Sequence, residues 1–138
     1  MARSIMVKEK DLPQAAKELL TTAGQCRVLT FSGEIGAGKT TLIRELCAQL
    51  AIPRQEVNSP TFALINEYLT PAGAPVYHMD LYRLQSLEEA LDIGIEDYLY
   101  SNAYCFVEWP ELIVSILPKG TLGIKLEIAG DSVRKILF

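Results

Sequence analysis

The sequence predicts an α/β fold: one domain with a mainly parallel sheet, helices around it and a C-terminal β-hairpin. Three observations predict it. At 138 residues the chain has room for one domain and one core. Strand-like and helix-like runs alternate along it with no repeat and no low-complexity segment, the order that builds a sheet covered by helices. A glycine-rich stretch, Gly33-Glu34-Ile35-Gly36-Ala37-Gly38-Lys39-Thr40-Thr41, joins one such strand to one such helix.

Taken in order, Asp11 is placed to cap a helix from about Leu12 to Ala23, with Gln14 at the capping-box position and Gly24 at the far end. Leu12, Ala15, Ala16, Leu19, Leu20 and Ala23 recur at helical spacing and mark its buried face. Arg27–Phe31 reads as a short buried strand that enters the glycine loop. From Lys39 to about Leu50 the residues Leu42, Ile43, Leu46 and Leu50 give a second helix. Thr61–Tyr68 and Val76–Tyr82 are β-rich runs around the turn-forming cluster Thr70–Pro75. Ser86-Leu87-Glu88-Glu89 is a capping box opening a short helix that Gly94 ends. Tyr104–Val107 is a continuous apolar run, as a buried parallel strand requires, and it delivers Glu108 to the strand's C-terminal end. Pro110 suits the first turn of a helix. The alternation of Leu122, Ile124, Leu126 and Ile128 with polar or small residues, then Gly130-Asp131, predicts a hairpin with one wet face.

Composition narrows the function classes. No apolar run approaches the ~20 residues of a membrane span, and the first ten residues lack the apolar segment of a secretory signal, so a cytoplasmic protein is expected. Cys26, Cys47 and Cys105 are odd in number and widely spaced, which suits small core residues rather than disulfides or a metal site. A net charge of −4 argues against direct capture of nucleic acid by phosphate neutralisation; a partner would hold it.

The loop matches GxxxxGK[ST] in full, the signature of a P-loop NTPase domain. Each residue type has a mechanical reason. Gly33, Gly36 and Gly38, with Ala37 between, let successive backbone N–H groups turn toward one anion. Lys39 reaches the β- and γ-phosphates, the Thr40 hydroxyl can ligate Mg²⁺, and Thr41 continues into a helix whose N-terminal dipole favours phosphate. No Asn-Lys-x-Asp guanine-reading segment occurs, and no two of the six arginines are close in sequence, so neither a GTPase nor a lidded small-metabolite kinase is favoured.

Further motifs carry a family resemblance. GEIGAGKTT, Ser59-Pro60-Thr61-Phe62, Asn66-Glu67-Tyr68, Tyr77–Leu84 and Val107-Glu108-Trp109-Pro110-Glu111 occur in one order over most of residues 11–117. In these the chain resembles the TsaE-type P-loop ATPases, accessory proteins in the placing of threonylcarbamoyl on an adenosine next to the tRNA anticodon. The resemblance implies an ATPase, weak alone, that binds ATP and Mg²⁺ and acts on a partner transferase complex of the TsaB–TsaD type, touching tRNA only through partners. The adenine site it implies lies between Asp11 and Leu12 and the C-terminal hairpin, with Arg134 stacking on the base. Two positions depart from the family pattern: Glu34-Ile35 replaces a common Asp-Leu, and Arg44-Glu45 a common Arg-Gly. A small-metabolite phosphotransferase and a nucleotide-binding adaptor are the alternative readings.

Individual residues carry competing expectations. With Lys39, the acids Glu108 and Asp80 are the catalytic candidates. Either acid could hold Mg²⁺ beside Thr40, and Glu108 is favoured because it ends the most apolar strand. Glu34 keeps a carboxylate near the γ-phosphate side. Ser59 and Thr61 suit a switch loop or a rigid turn. Trp109, the only tryptophan, suits a partner anchor or plain packing. His78, the only histidine, shares a strand face with Asp80 and reads more readily as a satisfied structural residue than as a base.

Overall fold

The computed structural model describes residues 3–60 and 62–138. Thr61, a switch candidate, lies outside the described residues. Seven strands form one sheet in the order β1-β7-β6-β2-β5-β4-β3. They are β1 (Ser4–Val7), β2 (Val28–Ser32), β3 (Ile65–Leu69), β4 (Pro75–Asp80), β5 (Tyr104–Glu108), β6 (Leu122–Gly130) and β7 (Val133–Leu137). The four central strands, β6, β2, β5 and β4, are mutually parallel, and β1, β7 and β3 complete the edges in antiparallel pairing.

The sheet is buried on both faces because its central strands are apolar on both. Leu29, Phe31 and Phe106 point to one side, under α1 (Leu12–Ala23) and α2 (Lys39–Gln49), where Leu19, Leu42, Ile43 and Leu46 meet them. Val28, Met79, Cys105 and Val107 point to the other, under α3 (Leu87–Asp92), α4 (Ile95–Leu99) and a 3₁₀ segment, Pro110–Ile116. Phe31 and Phe106 meet edge to face at 6.2 Å, which fixes β2 against β5 at the level of the glycine loop.

Most elements fall where local signals put them, and the differences have physical reasons. The Thr61–Tyr68 run begins its strand only at Ile65. Leu64 adopts φ 67° and its N–H closes onto the Pro60 carbonyl at 3.1 Å, a turn that the apolar character of Phe62 and Leu64 concealed. The following strand stops at Asp80, whose Oδ1 accepts from the Tyr82 N–H at 3.0 Å and turns the chain. Asp11 does not cap α1: its carboxylate accepts from the Lys8 N–H at 2.9 Å and closes the short turn Glu9–Asp11. Gly24 does close α1, with its N–H on the Leu20 and Thr21 carbonyls. Ser86 caps α3 through the Glu89 N–H, while the Glu89 side chain reaches back to the Gln85 N–H, one residue earlier than a standard box. Beyond Gly94 a further short helix, α4, continues the layer. Cys47 and Cys105 are core residues as expected, but Cys26 is only half-buried. Among the described residues no helix is long and apolar enough to cross a membrane.

Candidate nucleotide-binding site

The site lies at the C-terminal ends of the parallel strands, where β2 gives way to the glycine loop and the loop to α2. Gly33 is required by close approach as well as by conformation. Its φ is 144°, and a Cβ there would stand 2.5 Å from the Leu126 carbonyl oxygen on β6. The loop carbonyls are held by two cations. Lys39 Nζ donates to the carbonyls of Gly33 and of Glu34, the latter at 3.1 Å, and sits 4.0 Å from the Trp109 ring centroid. Arg134, reaching across from β7, donates to the Ala37 and Gly36 carbonyls at 3.2 and 3.3 Å.

Lys39 is therefore not an exposed loop lysine: it is only 5 % exposed. Burial lowers its pKa from the ordinary lysine value, while the carboxylates of Glu108, Asp80, Glu111 and Glu34 pull it back up. An ammonium folded onto the loop's own carbonyls holds the loop in shape, and these same N–H donors suit phosphate oxygens.

Glu108 ends β5 beside β2, in register with Phe31 on one side and Asp80 on the other. Its carboxylate is buried and accepts from the Thr40 hydroxyl, with oxygens at 2.9 and 3.1 Å, and faces His78 Nε2 at 2.6 Å. Asp80 stands one strand farther from the loop, about 4.8 Å in sheet spacing, and accepts from the Ser59 hydroxyl at 3.3 Å. Thus the structure brings Lys39, Thr40 and Glu108 together and sets Asp80 one strand farther away. A cavity of about 330 Å³ is lined by Ile35, Gly36, Gly38, Lys39, Thr40, Thr41, Asp80, Tyr82, Arg83, Glu108 and Trp109.

Trp109 is half-buried and adopts φ 56° and ψ 60°, a left-handed conformation rare for a bulky residue. Its N–H donates to the Phe31 carbonyl at 3.2 Å, and its ring packs on Tyr82 at 4.8 Å. The strained turn lays the indole over Lys39. A second cavity of about 330 Å³ lies on the other side of the loop, lined by Val7, Leu12, Gly36, Thr41, Leu126 and Arg134 among others. Leu12 and Arg134 both border this space. Asp11 is not among its lining residues, and the Arg134 guanidinium is engaged with loop carbonyls. Glu34 is exposed and borders neither cavity. Glu45, at the departure from the family pattern, accepts from Arg54 at 2.9 Å.

Sequence reasoning left Tyr68 without a role. Its hydroxyl meets His78 Nδ1 at 2.9 Å inside the β3–β4 hairpin. Counting from the turn would have found this only with the register known: Asn66 faces His78, so Tyr68 is its diagonal neighbour.

Among the described residues no three His, Cys, Asp or Glu side chains gather as a protein-only metal cage. The Thr40 hydroxyl and the Glu108 carboxylate supply two oxygen donors beside the loop, the kind of donor Mg²⁺ takes together with phosphate oxygens and water. Glycine loop, lysine, hydroxyl and buried acid, set between a parallel strand and a helix N-terminus, define a P-loop nucleotide-binding protein.

Comparison with known proteins narrows the class. The family model described as "Threonylcarbamoyl adenosine biosynthesis protein TsaE" matches residues 6–136, and the chain belongs to this family. It is 44 % identical over 111 residues to the tRNA threonylcarbamoyladenosine biosynthesis protein TsaE of Bacillus subtilis, covering 80 % of this chain and 68 % of that one. To the protein of the same name from Rickettsia bellii it is 32 % identical over 133 residues, covering 96 % and 91 %. The crystal structure of Bacillus subtilis YdiB superposes with a TM-score of 0.69 at 33 % identity, covering 99 % of this chain and 84 % of that one.

Proposed function

We propose that this chain is the ATP-binding and ATP-hydrolysing accessory protein of tRNA threonylcarbamoyladenosine formation, acting on a partner transferase complex of the TsaB–TsaD type in the cytoplasm. The relatives' names supply the pathway. The observation that carries the ATPase reading is the contact of the Thr40 hydroxyl with the buried Glu108 carboxylate, in the cavity that Lys39 also lines.

In this reading the backbone N–H groups of Gly36–Thr41 cradle the phosphates, and Lys39 exchanges the Gly33 and Glu34 carbonyls for β- and γ-oxygens. Thr40 and Glu108 hold Mg²⁺, with Asp80 reaching it through water; the ion, when bound, neutralises charge on the transferring phosphoryl group. Glu108 and Asp80 also orient the attacking water, since both carboxylates border the same cavity. Leu12 and Arg134 bound the space for the base. The net charge of −4 leaves tRNA to the partner complex, and hydrolysis drives a change in that complex rather than a transfer to a small acceptor.

The test is steady-state phosphate release by this chain, alone and with the transferase proteins, alongside threonylcarbamoylation of tRNA. Stimulation by the partners, with modification that requires this chain and ATP, is the expected result. Phosphorylation of a metabolite would replace the reading with a phosphotransferase, and modification independent of hydrolysis would replace it with an adaptor.

A further inference from the structure

A continuous line of hydrogen bonds runs from the nucleotide site to the segment before β3, and phosphate binding by itself does not require it. Glu108 Oε2 faces His78 Nε2 at 2.6 Å, and His78 Nδ1 faces the Tyr68 hydroxyl at 2.9 Å. That hydroxyl lies 3.0 Å from the Asn58 carbonyl and 3.3 Å from the Asn58 N–H. His78 is 0 % and Tyr68 7 % exposed, so bulk water cannot stand in for these partners. A carboxylate oxygen accepts, so the contact with Glu108 calls for a proton on His78 Nε2. Nε2–H donates to the carboxylate, the Tyr68 oxygen accepts from the Asn58 N–H, and the Tyr68 hydroxyl stands between His78 Nδ1 and the Asn58 carbonyl. The Asn58 carbonyl also accepts from the Asn66 amide at 3.0 Å.

The sheet is what makes the line possible. His78 is in register with Phe106 and Asp80 with Glu108, so His78 sits diagonally behind Glu108 on the adjacent parallel strand. From there its Nε2 meets Oε2, the carboxylate oxygen that lies 2.9 Å from the Thr40 hydroxyl. The segment at the far end is tied to the site twice more. Arg44 of α2 donates to the Val57 carbonyl at 3.2 Å, and Ser59 donates to Asp80 at 3.3 Å. One short stretch, Val57–Ser59, thus bears on the P-loop helix and on both acids. A buried histidine that served packing alone would need two partners of any kind. This one has the acid beside Thr40 as one partner and a hydroxyl anchored on that stretch as the other.

We propose that His78 and Tyr68 are positioning residues of the nucleotide site. They hold Glu108 in the rotamer that faces Thr40 and make that rotamer depend on where Val57–Ser59 sits. Hydrogen-bond partners behind a metal-held carboxylate commonly alter metal affinity by about 10- to 100-fold, because they remove its freedom to swing away. The inference rests on the reading of Glu108 as an acid at the Mg²⁺–nucleotide site.

His78 is the only histidine, so its two ring nitrogens give unambiguous ¹⁵N signals. In the free protein Nε2 should carry a proton hydrogen-bonded to Glu108. Tyr68→Phe deletes only the hydroxyl and should shift the Nδ1 signal. Affinity for a non-hydrolysable ATP analogue is measured with and without Mg²⁺ in the same proteins. Tyr68→Phe should lower the Mg²⁺-dependent gain in affinity roughly three- to tenfold, the effect of one neutral hydrogen bond, and leave Mg²⁺-free affinity nearly unchanged. His78→Gln, which keeps a donor toward Glu108, should retain more of that gain than His78→Leu at matched unfolding midpoints. A full Mg²⁺ gain in Tyr68→Phe and both His78 variants, with the gain lost in Glu108→Gln, would overturn the proposal alone. So would a His78 Nε2 that carries no proton. A full gain in Glu108→Gln would instead overturn the functional reading beneath it.

Discussion

Replacing Gly33 by alanine separates steric need from conformational need in the glycine loop. Two effects act at this position. A side chain at φ 144° is strained whatever surrounds it, at a cost of about 1–2 kcal/mol. The new Cβ would also stand 2.5 Å from the Leu126 carbonyl oxygen, a backbone atom of a buried strand that cannot rotate aside. Relieving the contact requires the loop or β6 to move by roughly half an ångström or more, and overpacking of that kind costs about 1–3 kcal/mol. The sum is about 2–5 kcal/mol, a large share of the 5–15 kcal/mol of a typical domain, roughly. Gly36→Ala is the control: its φ is 86° and nothing lies within 4 Å of a Cβ there, so only the conformational part remains. Urea unfolding of the two variants and the parent gives the comparison directly. Gly33→Ala should be less stable than Gly36→Ala by about 1–3 kcal/mol, near 3–10 °C in Tm for a chain of this size. ATP-analogue titration should show the same order of loss, because the displaced loop carries the phosphate donors. Equal unfolding midpoints for the two variants would refute the steric argument.

Lys39→Ala should lower affinity for ATP roughly 10- to 100-fold, the effect of charge-assisted hydrogen bonds to phosphate; calorimetry finding the parent affinity in a folded variant would count against the phosphate role. Because Lys39 also binds the Gly33 and Glu34 carbonyls, the same variant should lose some unfolding stability even without nucleotide. Trp109→Ala should keep ATP binding within a few-fold yet lose much of the partner-stimulated hydrolysis, since anchor tryptophans commonly contribute about 2 kcal/mol; the parent's single-tryptophan fluorescence should shift when nucleotide or partner binds, and unimpaired tRNA modification without such a shift would leave Trp109 as packing. Burial pushes the Cys47 and Cys105 thiols from 9.0 up to about 12, so the fold binds their protons more tightly than the unfolded chain does. Their contribution to stability is full below pH 9 and should fall steadily as pH rises toward 12, and a thiol reagent at pH 8.5 should label Cys26 well before either; prompt labelling of all three in the folded protein would contradict the burial.

What could be read from the chain alone was what local rules encode. The glycine spacing before Lys39 and Thr40 forces a strand-to-helix anion loop, helical periodicity marks α1 and α2, and the apolar run Tyr104–Val107 places Glu108 at a strand end. Short signals failed where a longer-range partner decided. Ser4–Val7 becomes a strand because β7 pairs with it, and Asp11 turns away from α1 because Lys8 offers a nearer N–H. The apolar run before Glu108 favoured it over Asp80, but the strand order that sets Glu108 beside the loop was not legible. Asp80 and Glu108 end similar strands and stand in register, and only the order β2-β5-β4 sets one beside the loop and the other a strand away. Strand order depends on how crossovers pack across the whole sheet, which no window of sequence contains. The same holds for Lys39 under Trp109, for Arg134 on the loop carbonyls, and for the line from Glu108 through His78 and Tyr68 to Asn58. These contacts join residues far apart in the chain, and close only once the hairpin register and the parallel core have brought them within reach.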